Sequence, residues 1–302
     1  MRAGRRALLL GCLCALSLPG QAVTIYKSVS ASGAVSYSDR PASGSWILRF
    51  QDRMEEHFDR QVRLESRRRG NQVVLAVRND LFAPVEVILR LDDLHNVRNA
   101  PGQPLRQVIA PRSRQELLVL APLDAGQPLD YTPRLQHILG DPRLKPASYR
   151  YPLPWRGGPF RLTQGPNGQY SHFTGRGRYA RDIAMPEGTP IIAARAGTVV
   201  RTENSQTGRG SHPSGNFVRI LHEDGTMSVY LHLMRGSVRV QEGARVITGQ
   251  LLALSGNTGN SSGPHLHFVV QRNVDGQMLS IPFEFARPVD SLPNFTPLVG
   301  GD

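Results

Sequence analysis

The sequence predicts an all-β chain, and three observations carry that reading. Its 302 residues include 30 glycines and 23 prolines, a turn-rich composition that suits strands better than helices. Short apolar runs recur along it, broken by Asn, Pro, Gly and Asp at intervals of roughly 8–12 residues. Two pairs of such runs flank short turn signals, Ser32-Gly33 and Asp224-Gly225, of the kind that close β-hairpins. At this length two β-rich modules are expected in tandem, and 39% hydrophobic residues suffice to pack them.

The elements follow in chain order. Residues 1–22 read as a secretory signal: Arg2, Arg5 and Arg6 give a basic start, Ala7 to Leu18 an apolar run, and Gly20-Gln21-Ala22 the small residues of a cleavage site. An alternative is a lipid anchor at Cys12, after Leu9-Leu10-Gly11. The apolar run is short for a bilayer-spanning helix, and no later segment is a better candidate. Both cysteines, Cys12 and Cys14, fall inside this segment, so cleavage after Ala22 leaves neither a disulfide nor a thiolate metal site. The formal net charge is +12, and removing residues 1–22 takes away three arginines and no acid, leaving +9. Such a chain is drawn to anionic surfaces. For an exported protein, periplasmic, secreted or envelope-bound, these are wall polymers and lipid headgroups rather than nucleic acid. The sequence does not speak to oligomeric state.

Residues 23–45 alternate apolar and polar positions around Ser32-Gly33, a hairpin pattern. Residues 50–70 are charged and end in Arg67-Arg68-Arg69, which reads as a solvated linker or an exposed edge. From 46 to 151 the runs VVLAV, VEVILRL, RQVIA and ELLVLAPL predict a small β-sandwich-like module; His57, His95 and His137 stand isolated there and carry no chemistry. The Pro/Gly-rich stretch from Pro152 opens a second β-rich domain, 152–288, followed by a tail at 289–302.

The second domain holds the chemistry. In "GPHLHFVV", His265 and His267 sit at alternate positions of a strand, so both rings face one side, roughly 6.6 Å apart along it. Leu266 and Phe268 face the other side as core. Two imidazoles on one face are costly to bury unless something engages them. His232 ends the strand "SVYLHL", Asp182 lies in "YARDIAMPEGTP", and His172 in "GQYSHFTG". Histidines with one carboxylate match the nitrogen and oxygen preference of zinc, whose catalytic sites use three protein ligands and keep one position for water. His222, beside the hairpin turn, reads as a structural histidine.

Three blocks, "DIAMPEGTPIIAARAGTVV", "GNFVRILHEDGTMSVYLHL" and "GARVITGQLLALSGNTGNSSGPHLHF", resemble the M23 family of zinc metallopeptidases, the lysostaphin/LytM-like peptidoglycan endopeptidases. They cover about residues 160–285 in the family's order. The resemblance implies an antiparallel β-sheet peptidase domain and one Zn²⁺ per chain. It also implies a zinc-activated water helped by histidine acid–base catalysis, with peptidoglycan cross-link peptides as substrate. It makes Asp182 and His267 metal ligands and His265 and His232 the catalytic histidines. His265 then acts as general base and His232 stabilises the intermediate or protonates the amine, an assignment that can be exchanged. The commonest family pattern puts the remaining ligand four residues before the aspartate, where this chain has Arg178, which has no lone pair to offer. His172, ten residues before Asp182, is read as that ligand on a longer loop, with His212 as the alternative. Tyr230 is a candidate substrate-lining residue, with plain packing as the equal alternative. Two other function classes stand beside the peptidase: a metal-free M23-like module that binds wall or activates a partner hydrolase, and a basic module that recognises anionic polymer through residues 46–150.

Overall fold

The computed structural model describes residues 61–208 and 212–290, together with the backbone of three short strands nearer the N-terminus. The apolar segment 1–22, Cys12, His57 and most of the C-terminal tail lie outside the described residues. Among the described residues there is no helix, and the chain is all-β as its turn-rich, alternating sequence predicts.

Two compact units are present, residues 1–55 and 56–302. In the first, strand β1 (Ile25–Val29) pairs antiparallel with β2 (Val35–Ser38) on one side and β3 (Trp46–Leu48) on the other.

The second unit begins with six strands: β4 (Val62–Arg69), β5 (Gln72–Asn79), β6 (Val85–His95), β7 (Leu105–Ile109), β8 (Ser113–Leu120) and β9 (Asp130–Leu139). They form two three-stranded antiparallel sheets, in the orders β4-β5-β8 and β7-β6-β9. Val73, Leu75 and Leu120 of one sheet pack with Leu89 of the other. The run VVLAV supplies β5, buried along its length because it is the central strand. The charged stretch ending at Arg69 is an edge strand, where exposed arginines discourage pairing with another chain.

Beyond it lie β10 (Arg150–Tyr151), β11 (Arg161–Gln164), β12 (Arg181–Ala184), β13 (Pro190–Ile192), β14 (Gly197–Glu203), β15 (Asn216–Leu221), β16 (Met227–Leu233), β17 (Arg245–Val246), β18 (Leu251–Leu254), β19 (His265–Val274), β20 (Gln277–Ser280) and β21 (Glu284–Phe285). Eight of these build one antiparallel sheet, β11-β12-β19-β16-β15-β14-β17, with β20 paired to β19. One face packs on the small sheet β13-β18 and on β10-β21. Its centre is Phe268, whose ring meets those of Tyr151, Tyr230, Phe283 and Phe285 at centroid distances between 5.1 and 6.0 Å. Removing a ring so enclosed costs about 3–5 kcal/mol.

The opposite face is shared. At one end Val200, Met227 and Met278 pack against Val77, Leu81, Val85, Val87 and Ile109 of the first six strands. Asn273 Nδ2 donates to the buried Glu86 Oε2 at 2.9 Å across that junction. His265 and His267 stand on this same face at the other end of β19, with His267 six residues, or about 20 Å, from Asn273. The first six strands therefore brace the sheet beside the histidines.

On the core face, His222 is buried just after β15. Its Nδ1–H donates to the Ala196 carbonyl at 2.9 Å, and Ser228 Oγ joins its Nε2 (3.0 Å) to the Tyr230 hydroxyl (3.2 Å). This is the structural histidine that the sequence predicts. Burial pushes it down from 6.5 to about 4. Between these values the unfolded chain binds a proton that the folded chain excludes, so stability rises with pH across that window. The expected contribution is on the order of 3 kcal/mol, lost as pH falls from about 6.5 to about 4. Urea unfolding of wild type and His222→Gln from pH 4 to 7 checks it: the variant is less stable throughout but lacks this part of the slope.

Candidate metal centre

The site starts from one register. Strands β12 and β19 pair antiparallel with Asp182 directly opposite His267 and Ala184 opposite His265. Directly opposed residues share a face. The carboxylate and both imidazoles therefore stand on one side, while Ile183, Leu266 and Phe268 enter the core on the other. Asp182 Oδ1 accepts from His267 Nδ1 at 2.7 Å and lies 3.8 Å from His265 Nε2.

His172 arrives from the loop between β11 and β12, its Nε2 3.2 Å from Asp182 Oδ2. Its Nδ1 lies 2.8 Å from the Gly165 carbonyl, which can only accept, so the proton is on Nδ1 and the Nε2 lone pair faces the carboxylate. His172, Asp182 and His267 are all buried, with one ligand atom from each within 4.8 Å of the others. His212 is not part of this cluster. Nε2 of both His172 and His267 is buried without a hydrogen-bond partner; His172 turns that nitrogen toward Asp182, whereas His267 turns its Nδ1. Two imidazoles and a carboxylate make a donor set that fits zinc, with a ligand position left over.

His232 reaches the site by a distortion of its strand. Between the pairs Val218–Tyr230 and Asn216–Leu233, two steps along β15 answer three along β16, so β16 carries a bulge. His232 takes a φ of +63°, a left-handed value uncommon for residues with side chains. Regular alternation would send His232 into the core beside Tyr230. With the bulge, its ring stands 4.7 Å from that of His265 and 5.9 Å from that of His267. The bulge is tied down by Thr258, whose carbonyl accepts from His232 Nδ1 at 2.8 Å and whose Oγ1 bonds the Asn216 N–H and the Leu233 carbonyl. Gly215 permits that approach: a Cβ there would lie 2.5 Å from the Thr258 backbone. The ring of His265 is oriented likewise, with Nδ1 2.8 Å from the Gly263 carbonyl and 3.0 Å from Ser261 Oγ. Carbonyl acceptors thus fix His172, His232 and His265 in the tautomer that leaves Nε2 bare.

The electrostatics follow from burial and proximity. Burial alone would raise the Asp182 carboxyl, but His267 and His172 beside it hold it well below the usual carboxylate range. Burial lowers His172, and the adjacent carboxylate outweighs that and raises it. Burial and the neighbouring imidazoles push His232 well down, and burial pushes His267 down.

For Tyr230 the packing alternative holds. It lines no groove: it is fully buried on the core face, two residues before the bulge, with its hydroxyl accepting the Ala194 N–H at 2.8 Å. Burial pushes that hydroxyl up and keeps it protonated. Reading the strand alone missed Gln164, Thr258 and Ser261, which touch site residues from loops or strand ends and have no spacing that marks them. Tyr230→Phe is expected to cost about 1–3 kcal/mol by leaving the buried Ala194 N–H without its acceptor, and to leave zinc uptake unchanged. Urea unfolding and zinc titration of the same protein check both halves.

Residues 176–279 match the profile of peptidase family M23. The match opens four residues after His172, so the loop carrying that histidine precedes it. Peptidoglycan DD-endopeptidase ShyA of Vibrio cholerae is 40% identical over 118 residues, covering 38% of this chain and 25% of that protein. ShyC of the same organism, also named a peptidoglycan DD-endopeptidase, is 37% identical over 128 residues, 41% of this chain and 27% of that protein. The chain thus spans about a quarter of the length of these two relatives. Among solved structures, the catalytic domain of the prophage-encoded M23 protein EnpA from Enterococcus faecalis is 28% identical, covers 43% of this chain and 92% of that chain, and has a TM-score of 0.34. With its buried His-Asp-His cluster on an antiparallel sheet, this chain is similar over residues 176–279 to peptidase family M23.

Proposed function

We propose that this chain is an exported zinc endopeptidase that hydrolyses peptide cross-links of bacterial peptidoglycan. The observation that carries the reading is the shared face. Three buried ligand side chains stand together with two more imidazoles beside them, each presenting a bare Nε2. The names of ShyA and ShyC, both peptidoglycan DD-endopeptidases, support the substrate class and an envelope location.

His172, Asp182 and His267 would hold the zinc. When bound, zinc supplies Lewis acidity toward the scissile carbonyl and makes a water molecule acidic near neutral pH. The chain's own residues do the rest. His265 is the most accessible of the four imidazoles, its side chain 14% exposed against none for His172. With Nδ1–H committed to Gly263, its Nε2 is free to take a proton from the attacking water, the role of general base. His232, also bare at Nε2, stands one ring away and is placed to receive the proton that His265 takes from the water and to pass it to the leaving amine. Its burial favours the neutral form, so a proton held there is readily given up. The carbonyls of Thr258 and Gly263 hold both rings so that neither must reorient before reacting.

Zinc stoichiometry and mass spectrometry of digested sacculi test this. Wild type should bind one zinc and release cross-link cleavage products. His267→Ala should lose both. His265→Ala should keep zinc and lose about 10²–10⁴-fold in cleavage rate, the range of a general base. Full cleavage by wild-type protein stripped of metal would overturn the reading.

A further inference from the structure

The ligand set includes a member on a long tether. His172 lies ten residues before Asp182, on an excursion between β11 and β12. A side chain delivered this way must be restrained, or the entropy of ordering the loop is taken from metal affinity. We propose that Gln164 is that restraint: a positioning residue whose amide ties the Asp182 carboxylate to the loop carrying His172, so that both ligands meet the cation as one unit. The proposal rests on the zinc reading above.

Gln164 ends β11. Between the pairs Leu162–Ile183 and Gln164–Asp182, two steps along β11 answer one along β12, so a bulge at Thr163 sets Gln164 opposite Asp182 and on its face. From there Nε2 donates to Asp182 Oδ2 at 2.8 Å and to Ser171 Oγ at 2.7 Å. Oε1 accepts the backbone N–H of Tyr170 and of Ser171, each at 3.1 Å. A side-chain amide has two N–H groups and two carbonyl lone pairs, and here all four are used. The pattern also fixes which end is which. A reversed amide would set its oxygen against the carboxylate and its NH₂ against two N–H donors. The bonded oxygen, Oδ2, is the one facing His172 Nε2. Gly168 lets the loop close down: a Cβ there would lie 2.4 Å from Gln164 Cγ.

Tyr170 and Ser171 are exposed, so water can take over their N–H groups if Gln164 is removed. Losing Gln164 should therefore cost little fold stability and much ligand preorganisation. The experiment is zinc affinity of the full chain by chelator competition, with the melting temperature of the metal-free protein beside it, for wild type, Gln164→Met and Ser171→Ala. Gln164→Met keeps the volume and removes every bond; it should weaken zinc binding by about 10–100-fold, as loss of an outer partner does elsewhere, with the metal-free melting temperature nearly unchanged. Ser171→Ala cuts one arm on an exposed loop and should weaken binding by less, and it decides the matter if Gln164→Met fails to fold. Wild-type affinity in both folded variants overturns the proposal. So does a Gln164→Met chain that melts far below wild type without metal yet binds zinc normally when folded. Failure of wild type itself to bind zinc overturns the metal-centre reading instead.

Discussion

The arrangement depends on the register between β12 and β19. In an antiparallel pair, side chains alternate faces with a period of two, so a slip of one residue would exchange the faces of the whole strand. Asp182 would then enter the aromatic core and Ile183 would take its place among the imidazoles. The register is held by what lies on the other face: Ile183, Leu266, Phe268 and Val270 are buried with Tyr151, Tyr230, Phe283 and Phe285. Burying this much apolar surface, at about 25 cal/mol per Å², far outweighs any slipped alternative that would put a carboxylate there. The hydrophobic face of the sheet thus fixes the positions of the carboxylate and imidazoles on the polar face.

Alternation alone would not complete the site. Regular pairing supplies Asp182, His265 and His267, and the other residues it sets opposite the two histidines, Ala184 and Leu231, are apolar. Two bulges add the others. One in β16, at the left-handed His232, turns that ring out of the core and toward His265. One in β11, at Thr163, sets Gln164 opposite Asp182. A bulge costs ladder bonds, and at both places loop or side-chain groups replace them: the Thr258 carbonyl and hydroxyl around His232, and Thr163 Oγ1 on the Asp182 carbonyl. The distortions re-aim single side chains while the sheet around them stays paired.

Electrostatics set the remaining constraint. A buried carboxylate is costly unless matched, and Asp182 accepts from His267 on one oxygen and from Gln164 on the other. The imidazoles take their orientation from backbone carbonyls, so the bare nitrogens converge without any side chain having to choose. The six-stranded module at the far end of the same face closes over Met227, Val200 and Met278 and ends the polar surface there.

Much of this was legible in the residues alone. Period-two apolar runs and turn residues declare strands, so β5 to β8 and β13 to β16 could be read directly, as could the shared face of His265 and His267. The burial of His222 followed from its phase with Val218 and Ile220. Strand β4, by contrast, is polar enough to read as either a linker or an exposed edge, and its pairing with β5 makes it the edge. Tyr230 has the composition of a groove residue, and only the packing of its ring against Phe268 places it in the core. Bulges leave no period, so the turning of His232 and the placing of Gln164 were invisible before the strands were paired. The sequence by itself determined which residue types could meet a metal and which face the strand pair offered. Tertiary structure alone decided that His172 rather than His212 closes the cluster, because loop closure over ten residues depends on what the loop packs against and not on spacing along the chain.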